Sequence, residues 1–195
     1  DRMMLAKSLR VLSCVPKQLY TFSDKLAWVE AQIEKHKPDI AVLPQEWHGG
    51  IQCFFFAKEM KRPVHRGKQP EKVSYEPQEI IGPYEKLARK HSVGITVGAL
   101  IDCPIERQRR ERIYVIDPVE GVTGYADKMM LPAYDHVNAN GKTQVYPESN
   151  LENRAQAFPL CGARVGILFC WEVYSSFLWH AIARAQPDFV VSMVK

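Results

Sequence analysis

Three polar residues whose types cooperate in acyl-transfer chemistry lie directly after apolar runs of the sequence. Glu46 follows the run DIAVLP, Lys128 follows VTGYAD, and Cys170 follows RVGILF. In α/β sheets, ligands bind beside the carboxyl ends of the strands, and the loops at that edge carry the chemistry. These three residues are therefore candidates for one shared site.

A carboxylate, an ammonium group and a thiol are sufficient to hydrolyse an amide or a nitrile. The carboxylate takes the proton of the thiol, and the thiolate attacks an electrophilic carbon. The ammonium stabilises the charge that develops on the tetrahedral intermediate. The carboxylate then protonates the leaving amine and activates the water that releases the thioester. This chemistry requires no metal and no cofactor, and we expect neither.

The elements that must position these residues alternate between apolar runs and amphipathic patterns. Residues 9–15 and 39–44 predict strands, and the second is apolar enough to be buried on both faces. Between them, Ser23 is a suitable N-cap for a helix that runs to His36, because Pro38 ends it. The later predicted elements are helices over 77–91 and 175–185 and strands over 93–101, 112–117, 122–128, 157–160, 164–169 and 188–194.

Alternating helices and strands with one inserted hairpin favour an α/β layered domain. The hairpin is predicted where residues 112–117 and 122–128 flank the turn Pro-Val-Glu-Gly. The 195 residues include 46% hydrophobic and 25% charged residues, which is typical of one soluble globular unit. We therefore expect residues 1–195 to form a single domain.

Charge and cysteine content exclude several classes of protein. The net charge of +4 is small, and the densest basic cluster, 107–112, is interrupted by Glu111, so we interpret it as a solvated loop and expect no nucleic-acid partner. Five cysteines without a CxxC pair predict neither a disulfide framework nor a zinc site, which favours the cytoplasm. No apolar run approaches the roughly 18 residues that span a bilayer, so we expect no membrane partner.

Three segments resemble the signature blocks of the nitrilase, or carbon-nitrogen hydrolase, superfamily. DIAVLPQEW, YADKMMLP and VGILFCWE stand in the family's order and at similar separations. The resemblance covers nearly the whole chain, including the segment after the cysteine. It implies a four-layer α-β-β-α sandwich and the hydrolysis of a non-peptide carbon-nitrogen bond in an amide or N-carbamoyl group, with nitriles ranked lower.

The resemblance also assigns roles to individual residues. It implies that Cys170 is the nucleophile, Glu46 the general base and Lys128 the cation that stabilises the tetrahedral intermediate. Many members carry a second glutamate that positions substrate and lysine, for which Glu148 is the best match and Glu152 the next. Members pair through helical faces, so a homodimer or a higher homo-oligomer is expected.

Two departures from the family pattern leave alternatives open. In the family the catalytic glutamate directly follows the proline, and here Gln45 holds that place. Since side chains alternate along a strand, Glu46 points into the pocket only if a bulge re-aims it. Family members also continue past the strand that follows the nucleophile, so the sandwich is expected to lack its last strands and C-terminal tail. The alternatives are a non-catalytic scaffold or regulatory protein, and an acyltransferase that uses the same thioester.

The aromatic residues beside the blocks are candidates for the substrate pocket. Trp47, Trp171 and Tyr134 stand next to the predicted strand ends, although aromatic residues at such positions more often pack in the core. Glu172 follows Trp171, and the family commonly has a structural acidic residue there, so Glu172 is not counted as catalytic. The expected substrate is a small amide, carbamoyl compound or nitrile.

Overall fold

Short strands and amphipathic helices alternate in the computed structural model, which describes residues 8–14, 22–44, 47, 76–103, 108–130 and 150–193. These residues form the helices α1 (Phe22–His36), α2 (Pro77–His91), α3 (Leu151–Arg154) and α4 (Ser176–Arg184). A 3₁₀ turn covers Cys170–Tyr174. The strands are β1 (Val11–Ser13), β2 (Ile40–Val42), β3 (Gly94–Cys103), β4 (Gln108–Asp117), β5 (Gly121–Asp127), β6 (Ala157–Leu160), β7 (Ala163–Phe169) and β8 (Phe189–Met193).

The helix α2 shows how local sequence sets the ends of an element. It begins with Pro77 in its first turn, where a missing N–H leaves no bond unmade. It ends at Ser92, which adopts a left-handed conformation with φ 52° and lets the Val93 N–H donate to the Ala88 carbonyl at 3.1 Å. The predicted span 77–91 is confirmed. Within the described part of the chain, no helix is both long and apolar enough to cross a bilayer.

The strands form two separate sheets. The larger sheet has the order β1-β2-β3-β4-β5, in which β1, β2 and β3 are parallel and the last two pairings are antiparallel. The smaller sheet has the order β6-β7-β8, with β6 antiparallel and β8 parallel to β7. The predicted hairpin is confirmed as β4 and β5.

The two sheets lie face to face, and helices cover their outer faces. Along β4, Ile113 and Val115 join a core shared with the smaller sheet, whereas Tyr114 and Ile116 join a core that also contains residues of α1 and α2. This alternation is the two-residue period of a strand with both faces buried. The larger sheet is therefore a middle layer of the molecule.

The strand β7 repeats this arrangement in the smaller sheet. Ile167 and Phe169 point into the core between the sheets, and Leu168 packs with Leu178 and Ile182 of α4. The layers therefore follow the order helix, sheet, sheet, helix. The predicted α-β-β-α sandwich is confirmed.

The interpretation of 107–112 as a solvated loop is wrong. The strand β4 already begins at Gln108, and Arg110 and Glu111 are buried side chains. The prediction failed because it treated a run of charges as solvated, whereas β4 extends through this run and two of its charged side chains pair with residues at the end of β5. Arg112 pairs with Asp127, and Glu111 pairs with Lys128.

Candidate active site

Cys170 lies at the junction between a buried strand and a 3₁₀ turn. The strand β7 ends at Phe169, and the turn begins at Cys170 itself, whose side chain is half-buried. The next helix starts directly afterwards, because the Ser175 hydroxyl accepts the Leu178 N–H at 3.3 Å as an N-cap. The expected position of the thiol, at the carboxyl end of an apolar strand and before a helix, is confirmed.

Lys128 follows β5 directly and is enclosed by protein. Its side chain is 1% exposed, and its ammonium Nζ lies 2.9 Å from the Glu111 carboxylate, which is also 1% exposed. The Lys128 N–H donates to the Glu111 carbonyl at 2.9 Å, so the backbone pairing of the hairpin continues through Lys128. The same two residues are thus joined through backbone and side chains, which fixes the lysine at the end of the strand.

A second ion pair fixes the hairpin register one residue before Lys128. Arg112 donates to both carboxylate oxygens of Asp127, at 2.5 and 2.7 Å, and its guanidinium lies 3.6 Å from the ring centre of Tyr125. Burial disfavours the charged form of Arg112, but the hydrogen bond and the charge of Asp127 outweigh it and raise the pKa of Arg112. Arg112 therefore stays charged and holds β4 against β5.

The carboxylate of Glu172 joins the lysine segment to the cysteine segment. Its Oε1 accepts the N–H groups of Met129, at 2.6 Å, and Met130, at 3.3 Å. Its Oε2 accepts the Phe169 N–H at 3.0 Å and a bond from the Arg154 guanidinium. Met129 is the neighbour of Lys128 and Phe169 is the neighbour of Cys170, so one carboxyl group brings the two predicted catalytic segments together.

The remaining predicted site residues divide into two groups. Glu46, Gln45, Glu148 and Tyr134 lie outside the described residues. Of the two described tryptophans, Trp47 is 4% exposed and donates its indole N–H to the Tyr84 hydroxyl at 2.5 Å, within the core that faces α1 and α2. Trp171 is 49% exposed beside Cys170. A substrate contact stays a prediction for both.

Sequence reasoning missed two residues of this arrangement, Glu111 and Arg154. Glu111 was hidden in a charged run, although a hairpin register that pairs Arg112 with Asp127 also places Glu111 opposite Lys128. Arg154 is 1% exposed, and only tertiary structure brings its guanidinium to Glu172. No local signal in the sequence identifies Arg154.

The other described thiols differ from Cys170 in their surroundings. Cys14 is buried in the core that faces the helices, and this burial raises the pKa of its thiol to about 11. The Cys161 thiol donates to the Asp39 carbonyl at 3.3 Å. Cys161 begins the tight turn between β6 and β7, whereas Cys170 begins a 3₁₀ turn that leads into a helix.

One group of possible metal ligands lies on the outer helices. Glu30, Glu34 and His91 place their ligand atoms within 4.8 Å of one another. However, Glu30 is bonded to Lys90 at 2.7 Å and to His91 at 3.0 Å, and the bond from Lys90 is the main cause of its lowered pKa. This group is an ion-pair network between α1 and α2, and we assign no metal to it.

Comparison with known proteins finds solved structures of similar fold but no match by sequence. No family model matches the sequence, and no curated protein matches it. Among solved structures, the chain is similar to a carbon-nitrogen hydrolase from Helicobacter pylori G27, with a TM-score of 0.65, 10% identity and coverage of 95% of this chain and 59% of that one. It is also similar to Nit3 of Saccharomyces cerevisiae, a member of branch 10 of the nitrilase superfamily, with a TM-score of 0.64, 12% identity and coverage of 95% and 62%.

A third similar structure is a variant of the amidase from Nesterenkonia sp. AN1. That structure shows the result of Michael addition of acrylamide at the active site cysteine. The TM-score is 0.65 at 13% identity, and the match covers 96% of this chain and 67% of the amidase. The chain thus spans roughly three fifths to two thirds of the length of these proteins, and it has the fold of the carbon-nitrogen hydrolases of the nitrilase superfamily.

Proposed function

We propose that this chain carries the catalytic residues of a cysteine-dependent amidohydrolase that acts on carbon-nitrogen bonds other than peptide bonds. The observation that carries the proposal is the link through Glu172, which holds the neighbours of Lys128 and Cys170 on one buried carboxylate. In a nitrilase fold, this link supports the proposal that the cation and the thiol belong to one site. Amides and N-carbamoyl compounds are the proposed substrates, with nitriles ranked lower.

In the proposed reaction, the thiolate of Cys170 attacks the carbonyl carbon of the amide. The Lys128 ammonium stabilises the negative charge on the tetrahedral oxygen. The carbon-nitrogen bond breaks, the amine leaves with the proton taken from the thiol, and a thioester forms. Water then attacks the thioester and releases the carboxylic acid and the thiol.

Glu46 is proposed as the general base, and Glu148 as the second glutamate that positions substrate and lysine. Both roles rest on the resemblance of the sequence blocks. Trp171 and Tyr134 are proposed to contact the substrate, together with Trp47. The proposed site uses no metal and no cofactor, because a base, an ammonium and a thiol complete the proton transfers.

Trapping of the acyl-enzyme tests this proposal. The protein is mixed with a panel of simple amides, N-carbamoyl compounds and nitriles, quenched in acid and measured by intact-protein and peptide mass spectrometry. We expect an acyl adduct on the peptide that contains Cys170 and none in Cys170→Ser, with Cys161→Ser as the control that keeps the adduct. The absence of an adduct with every compound would favour a non-catalytic scaffold. Faster loss of the adduct with an added amine than with water would indicate acyl transfer.

The same assay identifies the base. Glu46→Gln is expected to lower the acylation rate by about 10²- to 10⁴-fold, which is the usual contribution of a general base. Gln45→Ala serves as the matched neighbour and is expected to retain acylation. An acylation rate that stays unchanged in Glu46→Gln would contradict the role of Glu46 as the general base.

We propose that the protein acts in the cytoplasm as a homodimer or a higher homo-oligomer. The cytoplasmic proposal is supported by the sequence, whose five cysteines include no CxxC pair and do not indicate a disulfide framework. The proposal of self-association is supported by large aromatic side chains exposed close together in the sequence, Tyr174, Phe177 and Trp179.

A further inference from the structure

The carboxylate of Glu172 bonds to more of the molecule than a local cap requires. Its bond from the Phe169 N–H is local, because it closes the 3₁₀ turn on which Cys170 lies. The bonds from Met129 and Met130 come from the segment directly after β5 of the larger sheet, 43 and 42 residues away. The side chain is 0% exposed, so these contacts are made without competition from water.

Arg154 supplies the opposite charge for this carboxylate from a third element, the short helix α3. Its Nη2 donates to Glu172 and, at 3.0 Å, to the Ile167 carbonyl of β7. Its guanidinium also lies 5.3 Å from the ring centre of Phe169. Its Nε and Nη1 have no hydrogen-bond partner among the described residues. Glu172 is therefore the group that compensates the buried Arg154 charge.

The arrangement matters for catalysis because the amine and the thiol lie on different sheets. Lys128 is fixed to β4 through Glu111, and Cys170 is fixed to the end of β7. Each of these two attachments lies within one sheet, so neither by itself sets the distance between the amine and the thiol. A displacement of about 1 Å between reacting groups can lower a rate by about 100-fold.

We propose that Glu172 is a positioning residue whose carboxylate sets the location of Lys128 relative to Cys170 by binding the backbone of both segments. The inference rests on the proposed function for its catalytic consequence. It rests only on the geometry for the link itself. Glu172 touches neither the substrate nor the reacting atoms in this assignment.

The first test variant is Glu172→Gln. Among the described residues, the four groups bonded to the carboxylate are donors, whereas an amide offers one oxygen and one NH₂ group. Glutamine can therefore keep the bonds of one segment only, and its NH₂ faces the donors of the other. This variant also leaves Arg154 buried without its counter-charge, so it is expected to lose stability for a reason unrelated to positioning.

The double variant Glu172→Gln with Arg154→Met separates the two effects. Removing both charges takes away the unpaired guanidinium while the link between the segments stays broken. The control is Glu120→Gln, the same substitution at an exposed position on the tip of the hairpin. Unfolding in urea, kcat and KM on an amide accepted by the parent protein, and hydrogen exchange are measured for all variants.

We expect the double variant to unfold at a higher urea concentration than Glu172→Gln, while its kcat stays about 100-fold below that of the parent protein. KM is expected to change less than about threefold, because Glu172 does not contact the substrate. Glu120→Gln is expected to match the parent. A kcat that recovers together with stability would show a merely structural role and overturn the proposal.

Amide hydrogen exchange tests the link between the two segments without a measurement of catalytic activity. In both Glu172 variants, the amide of Phe169 or those of Met129 and Met130 should exchange faster, while amides in the middle of β4 keep the parent rate. Unchanged exchange at all three amides would overturn the proposal even if the protein were inactive. A parent protein that forms no acyl adduct but shows the expected exchange would contradict the proposed function and support the link.

Discussion

At the scale of single residues, the buried pair of Lys128 and Glu111 is the most consequential feature. Two side chains that are each 1% exposed hold opposite charges 2.9 Å apart. Removing two charges from water is unfavourable by several kcal/mol per ion, so such a pair contributes little net stability. Its value is geometric, because it holds the Lys128 ammonium group in place at the end of β5.

Replacement of Lys128 by methionine tests the role of this ammonium group. Loss of one stabilising group for the tetrahedral intermediate is expected to lower kcat by about 10²- to 10³-fold. Alkylation of Cys170 by iodoacetamide should stay within about threefold of the parent rate, because alkylation forms no tetrahedral oxyanion. Stopped-flow hydrolysis and peptide mapping of the alkylated protein measure the two rates.

The matched control for Lys128→Met is Lys86→Met, which removes an exposed lysine from α2. It should leave both rates unchanged. If Lys128→Met slowed hydrolysis and alkylation equally, the substitution would act through the structure of the turn or through the thiol, and the assignment of Lys128 as the oxyanion partner would be contradicted.

The positions of Cys170 and Lys128 at strand ends could be predicted from the sequence because their signal is local. Each follows an apolar run that predicts a strand, and a strand end is recognisable from the residues on either side. The partners of these residues are set by contacts between segments. The bond from Met129 to Glu172 spans 43 residues, so no pattern around Glu172 distinguishes a positioning carboxylate from an ordinary turn cap.

At the scale of elements, the hairpin of β4 and β5 is tied to the smaller sheet by one aspartate. The Oδ1 of Asp117 accepts the N–H groups of Val119, at 2.8 Å, and Glu120, at 3.1 Å, which closes the hairpin turn. Its Oδ2 accepts the Cys161 N–H at 2.8 Å from the turn between β6 and β7. Burial raises the pKa of Asp117, but these three backbone donors outweigh it and lower the pKa below its ordinary value of 3.8.

This lowered pKa predicts how Asp117→Asn depends on pH. The depressed pKa means that the carboxylate stabilises the fold fully above pH 3.8, and that this stability is lost as pH falls through the lower folded-state pKa. Asparagine faces one set of donors with an NH₂ group, so the variant should lose about 1 to 3 kcal/mol of unfolding free energy at pH 7. Below pH 3.8 the difference from the parent protein should shrink.

Urea unfolding curves at a series of pH values measure this difference. Glu120→Gln, on the same turn, should show no comparable loss at any pH, because its side chain is exposed. A loss for Asp117→Asn that stayed constant from pH 7 to pH 3 would mean that the charge of the carboxylate does not stabilise the link between the sheets.

Elements whose ends are set by neighbouring residues in the sequence were predicted closely. Elements whose ends are set by tertiary contacts were not. The helix α2 agrees because Pro77 and the turn at Ser92 are read from neighbouring residues. The start of β4 was placed four residues late, because Arg110 and Glu111 resemble a solvated segment unless their burial is known. The 3₁₀ turn at Cys170 was missed for a similar reason, since the Glu172 side chain closes it.

At the scale of the whole molecule, the packing between the two sheets sets the distance between them. Side chains of β7 pack in the core between the sheets, whereas β5 of the larger sheet and β6 of the smaller sheet approach each other closely. A Cβ atom added to Gly124 would lie 2.2 Å from Cδ1 of Phe158 on β6. Phe158 is 6% exposed, so its ring is enclosed by the two sheets and cannot turn into solvent.

Gly124→Ala is therefore expected to destabilise the protein by about 1 to 3 kcal/mol, because overpacking forces the sheets or the ring to move. Val122→Ala, on an exposed side chain of the same strand, should change stability by less than about 0.5 kcal/mol.

Adding Phe158→Leu to Gly124→Ala removes the ring atoms that would meet the new methyl group. The unfolding free energies of the two single variants and the double variant form a double-mutant cycle, and we expect a favourable coupling of about 0.5 to 3 kcal/mol. Additive losses would mean that β5 and β6 are farther apart in solution than this packing requires. The link through Glu172 would then bridge two sheets whose separation is not fixed at that edge.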